Sequence, residues 1–384
     1  AVSQGAAPVG RASGYQIETW DLEDGLPQSS VTSLIQSREG YLWFGTLNGL
    51  VRTDGVRFQV HSLQTSTDMP GNRVLCVFGD ASGVVWFGVE SGGTGFIADG
   101  QPQRPPIAEL ADTSVTSIAE SPSSTLCFGT MRGEVIRRNA GSVRVFKQAD
   151  GLTGDPIVKL VVDNQGRLWA ATASWLGCLK EGRFVEEAQD SSGGLVIARR
   201  RAGGLWMIAG GRLSQWPPDR TQPGWELPGF PAKQGQARVM METKKGEVWI
   251  GLNGAGLLRF HQDRFESVRR QPALAETVLD LAEDGEGNLW AGTHGSGLFR
   301  VRQRVFDLIG TEDGLAENNV LTVCESANGS VWLGTDGGGL HRLAKDGTLT
   351  RYHTAQGLPR EYVNAVLEDR HGAVWAGTWG AGLF

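Results

Sequence analysis

The side chains best suited to chemistry recur at one place in the chain. Glu90, Asn253, His294, Asp336 and Trp379 each follow a Gly-Val, Gly-Leu or Gly-Thr pair, and Leu47, Met131, Ala173 and Gly210 fill the same place elsewhere. A carboxylate and an imidazole on one rim could act as acid and base. A carboxamide and a flat indole could instead hold a ligand, the ring stacking on a sugar face. Trp175, outside any regular pattern, and Tyr362 and Asn319, on segments of the same phase, extend this set of candidates. For any single member the plainer reading is a solvated turn, and for Trp175 and Trp379 it is packing against a neighbouring element. As a set they are the best pocket the sequence offers, and the expectation is ligand binding without catalysis. The six histidines show no paired metal spacing, and neither a Gly-x-Ser-x-Gly elbow nor a phosphate-cradling Gly-Lys-Ser/Thr loop occurs. No metal and no cofactor are expected.

What must position these residues is a repeat. A strand signature returns at Trp43, Trp86, Cys127, Trp169, Trp206, Trp249, Trp290, Trp332 and Trp375, with a period of about 42 residues. Aligned on Trp332, each unit divides into the same pieces. An apolar run such as Asn319 to Cys324 leads to a tight turn, then Ser330 to Thr335, a Gly-rich turn, Leu340 to Leu343, and a last run near Leu349 to His353. Each run has the length of a strand, not of a helix. Glycine stands two places before the apolar-Trp pair in most units (Gly40, Gly83, Gly166, Gly246, Gly287, Gly329, Gly372), where a hairpin needs positive φ. Four antiparallel strands per unit, repeated and Trp-bearing, define the blades of an all-β propeller. A large residue at a fixed strand position is inter-blade core, so the tryptophan column counts blades.

The run Asp24-Gly25-Leu26-Pro27-Gln28-Ser29-Ser30-Val31, followed by Gly40-Tyr41-Leu42-Trp43-Phe44-Gly45-Thr46, resembles the two-component regulator propeller repeat. Asp313-Gly314-Leu315 with Asn318-Asn319-Val320, and Gln356-Gly357-Leu358-Pro359 with Asn364-Ala365-Val366, repeat the phrase. The resemblance implies the periplasmic sensor part of a hybrid or ordinary histidine kinase, with an oligosaccharide or other nutrient fragment as ligand and the kinase elsewhere. Units three and five depart from the pattern, through Cys127 and through a missing Gly-Thr after Trp206. Asp163-x-x-Gly166-x-Leu168-Trp169 resembles the Asp-box turn of sialidase-type propellers without its Ser and Thr partners, a scaffold element.

The repeat phase predicts one domain over residues 14–384 after a flexible segment, 1–13. Tyr15 to Trp20 matches a fourth strand while the chain ends inside a third, so nine blades are expected, closed by the N-terminal strand in the last blade. Eight blades with one damaged unit, or part of a longer tandem, are the alternatives. Lys and Arg number 36 against 42 Asp and Glu, a net charge of -6 that gives no field for nucleic acid. No apolar run is long enough to cross a bilayer, so no membrane contact is expected within this stretch. The small, Gly/Ala-rich Ala1 to Ser13 fits the mature end of an exported protein, periplasmic or extracellular. Cys76, Cys127, Cys178 and Cys324 lie in apolar runs and read as structural thiols. The flat faces of such a propeller also suit a protein partner or a second copy of the chain, as a dimer. That scaffold reading is the rival to ligand sensing, and a propeller lyase or glycoside hydrolase using Glu90, His294 and Asp336 is a third.

Overall fold

The computed structural model describes residues 10–11, 14–139, 142–216, 229–231, 235–268, 276–303 and 309–384. It contains nine antiparallel sheets built from consecutive strands, as the repeat predicts. In the first, Val31–Gln36, Leu42–Thr46, Gly49–Thr53 and Phe58–His61 pair in that order. The first strands of the next six begin at Val74, Val115, Lys159, Val196, Ala237 and Val278, and those of the last two at Val320 and Val363. The fifth and ninth sheets have three strands among the described residues, and two residues, Gly10–Arg11, add to the sixth in parallel.

Two compact units divide the chain, residues 1–304 with seven sheets and 305–384 with two. In the larger unit each sheet buries an apolar cluster against the next, and the cluster of Leu26, Val31, Phe44, Trp290 and Leu298 joins the seventh sheet back to the first. Seven seams for seven sheets make a closed ring, which leaves no open face. Glycine permits the close approach. A Cβ on Gly292 would lie 2.6 Å from Val31 Cγ1 and 2.8 Å from its carbonyl oxygen.

The N-terminal strand is where the structure departs from expectation. Tyr15–Trp20 pairs antiparallel with Leu298–Gln303, completing the seventh sheet and not the ninth. Glu18 accepts hydrogen bonds from Arg300 and Arg302, Trp20 stacks on Trp290 at 5.2 Å, and Tyr15 packs edge-on against Trp249 at 5.3 Å. The strand expected to complete the last blade thus belongs to the unit of residues 1–304. The physical reason is that every seam is a nearest-neighbour contact, so the repeat carries no record of where the ring should shut.

In the two-sheet unit the eighth and ninth sheets share one cluster, including Trp332, Leu340, Val363 and Ala376. Their other faces are open: Val323 is 61% exposed and Trp375 43%, whereas their counterparts Val77 and Trp86 in the ring are buried.

Candidate functional site

In four sheets the turn after the first strand is held by an aspartate. Asp163 accepts from the amides of Gln165 and Arg167, from Arg167 Nε and, at 2.9 Å, from Trp169 Nε1. Asp80 with Trp86, Asp284 with Trp290 and Asp369 with Trp375 repeat the arrangement. Burial alone would raise the Asp163 carboxyl, but the bonds from Trp169, Arg167 and Gln165 outweigh it and hold the group below its ordinary value. Ser37, Ser121, Thr243 and Ser326 stand at that place in the first, third, sixth and eighth sheets, and the fifth differs again. Arg200 takes the aspartate's place, its guanidinium over the Trp206 ring at 5.7 Å, and Trp206 Nε1 has no partner. The third sheet keeps four regular strands with Cys127 buried in the tryptophan position. These turns are scaffold.

The candidate residues project from the loops between second and third strands. The threonine hydroxyl of the Gly-Thr pair closes that loop, donating to Gly49, Gly297, Gly339 and Gly382 carbonyls in four sheets. The residue after the threonine then donates its amide to the carbonyl of the residue that precedes the first strand. Glu90 bonds in this way to Arg73, Asn253 to Gln236, His294 to Thr277, Asp336 to Asn319 and Trp379 to Tyr362. One sheet end thus carries a pair of side chains, and sequence reasoning named both members only for the last two pairs. Arg73, Gln236 and Thr277 were legible as the residues at the Asn319 position in other units.

In the ring, Glu90 forms an ion pair with Arg73 at 2.8 Å, which neutralises it. Asn253 accepts from Thr277 Oγ1 at 2.8 Å, and His294 is exposed. No hydrogen bond or ion pair joins Glu90 to His294, which stand on the second and seventh sheets, while Asp336 belongs to the other unit. Within the seven-sheet unit Glu90 and His294 are therefore not a hydrogen-bonded acid-base pair. Trp175 is a correction: it begins a third strand, Trp175–Lys180, is 3% exposed and packs with Phe146, Leu160 and Phe184. Gly177 makes room for its ring, since a Cβ there would lie 2.1 Å from it. It is core.

In the two-sheet unit four candidates come together. Asn319 Nδ2 donates to Asp336 Oδ2 at 2.9 Å, Asp336 and Tyr362 are bridged through their backbones, and the Trp379 amide is held by Tyr362. Tyr362 is 51% and Trp379 73% exposed. Glu361 alongside accepts from Arg351 and Thr354. The result is a rigid polar pair with two aromatic surfaces beside it.

The ring encloses a channel. One end is a cavity of about 590 Å³ lined by first strands and, from the predicted rim, by Ala173 and Asn253. The other end, of about 880 Å³, shares Phe78, Ile118, Lys159, Met240, Asp280 and Leu281 with it. Among the described residues no cluster of three His, Cys, Asp or Glu could hold a metal, and no helix is long and apolar enough to cross a membrane.

Fold and site together define a β-propeller protein whose loops, not its strands, carry the variable chemistry. Its repeats match the two-component regulator propeller model at residues 25–48, 274–295, 314–337 and 357–380. No curated protein sequence matches the chain. Among solved structures, the extracellular domain of the hybrid two component system BT3049 from B. thetaiotaomicron superposes with a TM-score of 0.74 at 20% identity, over 96% of this chain. The chain spans about half of that domain, 53% of its length. Catalytically inactive virginiamycin B lyase from Staphylococcus aureus, with quinupristin, is similar at TM-score 0.60 and 14% identity, covering 75% of this chain and 99% of that one. YCF48 bound to D1 peptide gives 0.58 and 15%, over 79% and 100%. At these identities the likeness is one of fold.

Proposed function

We propose that the chain is the extracytoplasmic ligand-sensing propeller of a bacterial two-component signalling protein, non-catalytic in this part, and that it binds an oligosaccharide. The observation that carries the reading is the exposed Trp379 and Tyr362 beside the hydrogen-bonded Asn319–Asp336 pair. An aromatic face meets the apolar face of a sugar ring, and a carboxylate and a carboxamide meet its hydroxyls. The regulator-propeller repeats support the signalling role.

A melting screen against neutral oligosaccharides tests this, because a ligand bound only by the folded state raises Tm. Trp379→Ala and Asp336→Ala should each remove the shift without lowering the Tm of the free protein. A shift that survives both substitutions, or no shift with any glycan, refutes the site.

A second reading, a scaffold that pairs with a protein or with its own copy, is favoured by the open apolar faces at Val323, Leu367 and Trp375. Light scattering showing a dimer that Leu367→Glu returns to monomer would support it.

A further inference from the structure

Two cations in the channel of the seven-sheet ring have no hydrogen-bond or ion-pair partner among the described residues. At the position of Lys159 the other sheets carry Ser33, Cys76, Ser117, Val196, Val239 and Asp280. The polar ones serve the seams: Val77 donates its amide to Ser33 Oγ, Leu160 to Ser117 Oγ and Leu34 to Asp280 Oδ2. Each must accept a proton to do this. Lysine has donors only and cannot, so Lys159 places an exposed ammonium in the cavity and makes no hydrogen bond or ion pair among the described residues.

Arg238 repeats the anomaly one residue earlier in the strand. Its counterparts Thr32 and Thr116 donate to the Val74 and Ile157 carbonyls across the seam, whereas Arg238 is exposed, unpaired and lines the same cavity. Lys159 is on the fourth sheet and Arg238 on the sixth, so they flank the fifth, where Gly193 and Gly194 leave the wall bare. The one acid of this cavity, Asp280, stands on the seventh sheet and is held by Ser33 and the Leu34 amide. The wall around the fifth sheet is therefore cationic in a chain of net charge -6.

We propose that this channel is a second binding site, for a carboxylate-bearing small molecule, held between Lys159 and Arg238. Its volume of about 590 Å³ lies within the range of small-molecule sites, and the two long side chains line it on either side of a bare wall, where a carboxylate can accept from each. This site is independent of the Trp379 surface, which lies in the other unit.

Titration calorimetry of the 384-residue protein with D-glucuronate, and with D-glucose as the neutral match, tests the proposal. Glucuronate should bind and glucose should not, and affinity should fall as salt rises. Lys159→Gln and Arg238→Gln should each weaken glucuronate about tenfold or more, while Lys159→Arg keeps binding. Because both side chains are exposed, the variants should keep the parent's circular dichroism and Tm, which separates lost binding from lost folding. Equal binding of glucose and glucuronate, no heat with glucuronate, or undiminished binding by the Lys159→Gln/Arg238→Gln double variant overturns the inference. Failure of Trp379→Ala to affect a neutral glycan would sink the other reading and leave this one untouched.

Discussion

Replacing Asp163 by alanine should measure what a turn carboxylate contributes to the ring. The side chain is 2% exposed and Trp169 1%, so the indole N–H that loses its acceptor cannot reach water. An orphaned buried donor costs about 1–3 kcal/mol, and the bonds to the Gln165 and Arg167 amides add about 1 kcal/mol, since those turn amides can be partly hydrated. A loss of about 3 kcal/mol is expected. For a domain of this size that is about 6 °C in Tm, readable by circular dichroism. Asp163→Asn should recover the turn amides but present its own donor to the indole or lose charge assistance, falling between the two. The same change at Asp369, whose partner Trp375 is 43% exposed, should do less because water replaces the carboxylate there.

The depressed Asp163 carboxyl sets the pH dependence. Its folded value lies below its unfolded one, so its contribution is complete above the ordinary carboxylate range and lost as pH falls through the folded value. The gap between the parent and Asp163→Ala should therefore close on acidification below about pH 4. An unchanged Tm in Asp163→Ala, or a larger effect at Asp369 than at Asp163, would refute the reasoning.

Three further outcomes follow from the seams and the core. Gly292→Val should open the joint between the seventh and first sheets and cost about 1–3 kcal/mol by overpacking, whereas Gly377→Val, which meets only its own sheet's Ala365, should be tolerated; limited proteolysis and Tm distinguish them. Glu18→Ala, by stranding Arg300 and Arg302, should free the closing strand to cleavage near Tyr15 before the rest of the ring unfolds, with a Tm change of about 1 kcal/mol equivalent. Burial pushes the Cys76 thiol up to about 12 and Cys127 up to about 11, and Cys178 is buried as well, so Ellman's reagent should label Cys324 quickly in the native protein and the other three only in denaturant.

Much of the fold was legible because each repeat states its own local structure. The glycines of the hairpins, the tryptophan column and the Gly-Thr loops identified nine sheets and the ends of their strands, and the structure has nine. The loop rim was legible in the same way, as a variable place inside a constant phrase. Trp175 looked like a loop tip because its neighbours are small and polar, yet a glycine two residues on, Gly177, lets the indole fold under the strand. Glu90 looked available, but its partner Arg73 stands beside it on the adjacent strand end, 17 residues earlier in the same unit. Lys159 and Arg238 went unnoticed because a single charge in a strand is ordinary; only alignment of the seam positions shows that they occupy places where an acceptor or a small hydroxyl works elsewhere.

By itself the sequence determined the unit: four strands, their turns and the face each side chain takes. Those are contacts within about 40 residues, and they repeat whatever the rest of the chain does. Only the tertiary structure decided that the first seven units close on one another, and which sheet the N-terminal strand joins. Closure depends on contacts between the two ends of a ring, where Val31 meets Gly292, Ser33 meets Asp280 and Glu18 meets Arg300. These pairs are far apart in the chain and have no period, so no repeat can announce them.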